Sequence, residues 1–402
     1  MISRLYILIA ALITTALFTP DYLYAGTEIS TSGYVRNFLV ISDSRNDTAF
    51  EALSRVRIKL NIVTSESSSW ELAYEVLPWL RDQGGILSDR AFANSSLFTY
   101  RIEDLGENIF DDQDSDFILA QNLDRAFLTY TATSFDLFAG RQPVAFGSAR
   151  VINPTDIIAP FTVNTIAKDE LVGVDAVRMK TPLAEMGEID VGIVFGNDIN
   201  ADESAAFVRM KSYVFKTDVS LMTMVFKKNI LLGLDLARSI GWAGTWLETA
   251  HVLTNAADDH LPEEDYFRLS IGADYSFTSR LYGFIEYHYN GAGTGTPSDY
   301  LKAAKETAFT EGAVYLLGRN YLAPGLSFEI TPLIIFGSQL LFNMEDGSAL
   351  ISPSIEWSVS QNIYAELSAF IGVGSESPDS DRPDNEFGLY TDTYFASLSF
   401  YF

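Results

Sequence analysis

The chain contains no cysteine, so disulfide frameworks, thiolate metal sites and thiol catalysis are all excluded. Histidine is scarce too: His251, His260 and His288 are the only three. There is no H-E-x-x-H, no phosphate-binding glycine loop and no C-x-x-C-H haem attachment. Positive charge is in short supply, 27 Lys and Arg against 53 Asp and Glu, and the resulting charge of −26 argues against nucleic acid as a partner. After residue 25 no run reaches the ~18 consecutive apolar residues of a membrane-spanning helix.

What is present is apolar all the same. Hydrophobic residues make up 48% of the chain and aromatics 13%, with 20 Tyr and 28 Phe. High apolar content without helical spans points to a β-protein, either a closed barrel or a large soluble sandwich. The first residues read as an export signal: Arg4 is the positive n-region, Leu5 to Phe18 carries no charge, and Ala25 is the expected cleavage site. Residues 1–25 are therefore expected to be removed and 26–402 to form one barrel domain.

Period-2 alternation is the dominant signal. Arg55-Val56-Arg57-Ile58-Lys59-Leu60-Asn61-Ile62 puts every polar residue on one face. Phe267, Leu269, Ile271, Ala273, Tyr275 and Phe277 alternate with Arg268, Ser270, Gly272, Asp274 and Ser276. Strands of about ten residues, aromatics near their ends, and short turns alternating with long connections favour a transmembrane antiparallel barrel over a sandwich. The short turns are Thr133-Ser134, Thr278-Ser279 and Gln361-Asn362; the long connections are 77–121, 143–170, 291–310 and 374–388. The last strand places Tyr394, Ala396, Leu398, Phe400 and Phe402 on one face, like the terminal signal read by barrel-insertion machinery.

Eighteen strands are expected, near 29–41, 49–63, 69–77, 122–132, 135–142, 171–181, 188–196, 205–215, 218–226, 229–239, 243–253, 265–277, 280–290, 311–321, 328–342, 349–359, 363–373 and 389–402. The stretches 243–253 and 311–342 have mixed faces, the latter interrupted by Pro324 and Pro332, and 16 strands is the alternative count. Closure requires the last strand to meet the first near Gly33 to Ile41.

Gly140-Arg141-Gln142-Pro143-Val144-Ala145-Phe146-Gly147, followed by Asn153-Pro154-Thr155-Asp156, resembles a signature of porin-like proteins of the Gram-negative outer membrane. Asn122-Leu123-Asp124-Arg125-Ala126 before it and Asp346-Gly347-Ser348 after it fit the same pattern. Alginate-export-type barrels are the nearest named relatives suggested. The resemblance implies an outer-membrane channel that passes small hydrophilic solutes by passive diffusion, with outer-membrane lipid and lipopolysaccharide as surroundings and no cofactor.

Turning the polar faces inward predicts a lumen with basic residues from the first half. Arg125, Arg141, Arg178, Arg209 and Lys211 form the expected basic lining, suited to anions or acidic sugars. Glu286, Glu356 and Glu366 form the expected acidic lining on the other arc, and opposed charges across a pore orient polar solutes. Cross-strand ion pairing of the same residues is the competing expectation, foremost for Glu71 and Glu75 beside Arg55, Arg57 and Lys59. The apolar patches of 143–170, Val151-Ile152 and Ile157 to Phe161, point either to folding into the pore or to packing at its rim.

Asp112, Asp114 and Asp116 have a D-x-D-x-D spacing that weakly suggests Ca²⁺, but the glycine and distal Glu of a calcium loop are missing. A solvated acidic loop is the simpler expectation there and at Glu376, Asp379, Asp381 and Asp384. Catalysis is not expected: His288 lies near Glu286, but no motif sets a serine beside it. The alternative to a channel is a barrel scaffold enclosing a partner protein, such as a redox conduit. Oligomeric state is not legible in the sequence.

Overall fold

The computed structural model describes residues 22–24, 27–44, 47–81, 100–103, 108–111, 116–163, 165–166, 170–257, 264–375 and 384–402. The first strands are β1 (Tyr22–Tyr24), β2 (Thr27–Ser44), β3 (Asp47–Ser65), β4 (Ser68–Leu80), β5 (Asn108–Asp111) and β6 (Phe117–Thr131). They are followed by β7 (Asp136–Pro143), β8 (Gly173–Leu183), β9 (Gly187–Val194), β10 (Ala205–Val214), β11 (Thr217–Phe226) and β12 (Asn229–Ile240). The remainder are β13 (Ala243–Leu253), β14 (Tyr266–Ser276), β15 (Leu281–Asn290), β16 (Asn320–Thr331), β17 (Ile334–Asn343), β18 (Ala349–Ser360), β19 (Ile363–Val373) and β20 (Asp392–Tyr401).

Each strand pairs antiparallel with its neighbour, β4 skips β5 to pair with β6, and β20 returns to pair with β2. Setting aside the short β1 and β5, which add onto β2 and β6, eighteen strands close the barrel. Closure runs from Tyr34↔Tyr401 to Asp43↔Asp392 and is finished by reciprocal backbone bonds between Gly33 and Phe402 at 2.9 and 3.0 Å. The apolar face of β20 is the outer one: Leu398 and Tyr394 are exposed, while Ser397 and Ser399 are buried inside.

The weakly patterned 243–253 is a strand over those residues. The spans expected at 311–321 and 328–342 are corrected to β16 and β17. Residues 313–317 are apolar because Val314 and Leu316 pack inside the barrel, in a loop rather than in its wall. The turn falls at Pro332-Leu333, and Pro324 sits within β16 at a point where the ladder to β17 skips Ala323 and Pro324. A missing N–H is tolerated there.

At one end of the barrel every connection has two to four residues (66–67, 132–135, 184–186, 215–216, 241–242, 277–280, 332–333, 361–362). At 215–216 the hairpin has φ of 51° and 61° at Phe215 and Lys216, the double positive-φ turn that follows strand twist. The long connections all lie at the other end. Between the ends, the outer surface is an exposed apolar belt that includes Leu39, Trp70, Val177, Ile193, Leu221, Leu232, Ile285 and Leu367. The lumen toward the loop end carries two apolar clusters made by wall and loop together.

Of the residues expected in a removable signal, 1–21 and 25 lie outside the described residues. So do Asp112 and Asp114 of the acidic triplet, His260, and Glu376, Asp379 and Asp381. Asp116 is an exposed residue just before β6.

Candidate functional site

The connection after β7 turns into the barrel. Val144, Phe146, Ile157, Ile158 and Ala159 pack on Val174, Ala176, Phe207, Met224 and Leu231 of the inner wall. Ile152 and Val163 join Phe38, Leu53, Tyr321 and Leu341 across the lumen. Full burial of one such aliphatic side chain contributes on the order of 2 kcal/mol, so the inward position is the favourable one for this sequence.

Burying a loop also buries its backbone N–H groups, and two wall carboxylates satisfy them. Glu248 of β13 accepts from the N–H of Ser148 and Ala149 at 3.1 Å each, and from the N–H and Oγ1 of Thr155 at 2.8 and 2.7 Å. Glu286 of β15 accepts from the N–H of Arg150, Val151 and Ile152 at 2.8, 3.3 and 3.0 Å, and from Trp246 Nε1 at 2.9 Å. Asp235 accepts from Ser148 Oγ, and Asp274 pairs with Arg150 at 2.9 Å. The Arg150 guanidinium lies 5.5 Å from the Trp246 ring centroid. Val144 to Gly147 and Asn153 to Asp156 of the porin-like motif are therefore part of the inward loop, while Gly140 to Pro143 end β7. Gly147 has φ +95°, and a Cβ there would come within 2.5 Å of both Asn153 and the Glu248 carboxylate.

The residues expected to line the pore separate into groups. Arg178 and Arg209 face inward and share Asp190, which Arg209 reaches at 2.9 Å; Lys211 is exposed on the same face, in register with Glu188. Arg125 is buried, bound to Asp124 at 2.7 Å and to the Leu171 carbonyl at 2.5 Å. Arg141 is in register with Asp175, on the face that carries Val177 and Met179, opposite to Arg178. It grips Asp175 through Nε and Nη2 at 2.8 and 3.0 Å, and the carbonyls of Leu123 and Glu103. Glu286 is occupied by the loop. Glu356 and Glu366 stand directly opposite each other on β18 and β19. Arg57 binds Glu75 and Asp124, each at 2.7 Å, and Lys59 binds Glu71 at 2.8 Å.

The loop leaves an open space along the wall of β17 to β20, reaching the short turn at Pro332-Leu333. A cavity of about 550 Å³ runs beside β17 to β20 and β2, lined by Arg36, Gln339, Ser352, Ser354, Glu356, Glu366, Ser368, Ser397 and Ser399, with Thr165 and Ile166 from the loop side. A second space of about 120 Å³ lies between loop and wall, where Arg150, Asp156, Arg268, Tyr315 and Gln339 meet. Burial, aided by the neighbouring Glu248 carboxylate, pushes the Asp156 carboxyl up to about 8.

The sequence reading missed Ser270. Its Oγ lies 2.9 Å from His288 Nδ1 and donates to the Ile152 carbonyl at 2.6 Å. Ser270 and His288 are both buried beneath the loop. At the long-loop end, the buried Glu386 accepts from Tyr321 Oη of β16 at 2.5 Å, Asn343 Nδ2 of β17 at 2.8 Å and the Leu317 N–H at 2.8 Å, tying its own connection to the one before β16 and to the wall.

No family model and no curated protein sequence matches the chain. Solved structures do match it in fold. Pseudomonas aeruginosa OpdK, solved with vanillate, superposes with a TM-score of 0.58 at 9% identity, over 93% of this chain and 98% of that one. P. aeruginosa OccD3 gives 0.55 at 10% identity over 96% and 95%, and P. aeruginosa OccK2, solved in complex with glucuronate, gives 0.54 at 8% over 93% and 97%. These neighbours are OprD- and Occ-type outer-membrane proteins, which replaces the alginate-export barrels suggested by the short motifs.

Proposed function

We propose that this chain is a Gram-negative outer-membrane channel for passive diffusion of small hydrophilic solutes, with organic anions favoured. The observation that carries the reading is the inward loop after β7, held inside the barrel by Glu248 and Glu286 and filling the lumen beside the cavity along β17 to β20. A lumen of eighteen strands is too wide for wall side chains to fill. A docked loop turns a wide pore into a selective one.

Charge of both signs lines the open spaces. Glu356 and Glu366 line the larger cavity together with Arg36, and Arg150 and Arg268 meet around the smaller space. A solute carrying a carboxylate and hydroxyls is oriented by that field, and the serine wall offers neutral hydrogen-bonding partners along its path. The neighbours solved with vanillate and glucuronate support this solute class. Arg178, Arg209 and Lys211 add positive charge on the opposite arc of the wall, on β8 and β10, while Arg125 and Arg141 brace the wall.

The scaffold alternative finds little room. The lumen is occupied by the chain's own loop, and the spaces beside it suit solutes rather than a folded protein. We also assign no catalysis: the Ser270–His288 pair is sealed under Ile152, and Glu286 spends its oxygens on the loop.

Reversal potentials across a planar bilayer under a KCl gradient test the reading. Conductance with anion preference is expected. Clear cation preference overturns the solute class, and absence of conductance by the folded barrel overturns the channel.

A further inference from the structure

The apolar belt is not uniformly convex. On the outer face of β12 to β16, Thr245 and Ala273 stand in register as a low floor, with Leu247, Ile271, Ile285 and Tyr287 around them. The resulting groove holds about 710 Å³, within the roughly 300–1,000 Å³ typical of small-molecule sites. It starts at Thr217, Arg238 and Ile240 near the short-turn end and runs to Tyr287 and Leu322.

Arg238 sets this groove apart. Register pairs it with Thr245, on the outward face. Among the described strand residues, the only other outward-facing cation is Arg141, which is neutralised by Asp175. Arg238 is exposed, with no acidic partner among the described residues, next to the fully presented turn residues Trp242 (88% exposed) and Phe215 (92%). These aromatics mark the level at which a membrane's polar region begins. An arginine at that level holds its head among polar groups and its stem along apolar surface.

We propose that the groove seats one phospholipid of the leaflet at the short-turn end, with its phosphate on Arg238 and an acyl chain along the Thr245–Ala273 floor. The proposal rests on the membrane reading above. A second copy of the chain is the weaker occupant. The outward-facing carboxylates on the described strands are Asp43, Asp175 and Asp392, all at the long-loop end, so a copy lying alongside presents no strand carboxylate at the level of Arg238. A phosphate matches a guanidinium in both charge and geometry. Lipopolysaccharide belongs to the leaflet at the opposite end.

Native mass spectrometry of the folded full chain, titrated with phosphatidylglycerol in detergent, tests this. A single saturable adduct is expected. Arg238→Gln should weaken it roughly tenfold, as for loss of one charge-assisted hydrogen bond. Ala273→Trp should abolish it by filling the floor, and Thr245→Leu serves if Ala273→Trp does not fold. No saturable adduct, or adducts indifferent to both variants, overturns the proposal. So does an oligomer that Ala273→Trp dissociates, which assigns the groove to a contact between copies. Failure of the wild-type chain to fold into vesicles sinks the membrane reading instead.

Discussion

The carboxylate of Glu286 in the barrel wall accepts the backbone N–H of Ile152 at 3.0 Å, joining residues 134 positions apart in the chain. The same side chain serves Arg150 and Val151. Glu286→Ala leaves these loop N–H groups without their acceptor, at roughly 1–3 kcal/mol for each that stays buried. The loop should become accessible to protease from the long-loop side, and single-channel current should grow larger and noisier. Glu286→Gln, which keeps one acceptor oxygen, should fall between it and wild type.

Gly147 turns the chain toward Glu248 at a positive φ. Gly147→Ala places a methyl group against the carboxylate and strains the backbone, at a cost of roughly 1–3 kcal/mol. Thermal melts should show a lower midpoint for loop release while the strand signal of the barrel holds. An unshifted midpoint would show that the Gly147 contact does not hold the loop.

Loop docking should depend on pH through Asp156. An unfolded Asp ionises near ~3.9, whereas burial holds this carboxyl protonated up to about 8. The docked state therefore keeps a proton that the undocked state releases. Its stabilisation is complete below the lower value, declines as pH rises between the two, and stops declining above the upper one. Conductance should rise across that window, and Asp156→Asn should flatten the rise. Glu386 in the outer connections is pushed by burial to about 7, so the wild-type and Asp156→Asn profiles must be compared directly.

Asp190 bridges Arg178 and Arg209, and Glu188 lies 3.4 Å from Arg209. Asp190→Asn removes one negative charge from this cluster and should raise anion preference in reversal-potential measurements. A shift toward cations would remove these arginines from the conduction path.

Much of the wall was legible from alternation, and so was closure of β20 on the Gly33 region; β13, whose faces are mixed, was placed by its length between its neighbours. Arg141 shows the limit. Leu137 and Ala139 share its parity, so the register turns it outward, although its charge suggests the lumen. The inward loop was half-legible. Ile152, Ile157 and Ile158 announce burial, but the partners that accept their backbone, Glu248 and Glu286, are about a hundred residues downstream and read locally as polar wall positions. The apolar stretch 313–317 failed for the same reason: loop residues packed inside a barrel look like strand residues when only local pattern is read.

Single-channel conductance of the chain lacking residues 150–165, set against wild type in the same bilayer and salt, tests the central claim most directly. A loop that narrows the pore predicts a clearly larger unitary conductance and weaker ion selectivity in the deletion. Equal conductance from a deletion that still folds as a barrel would contradict it.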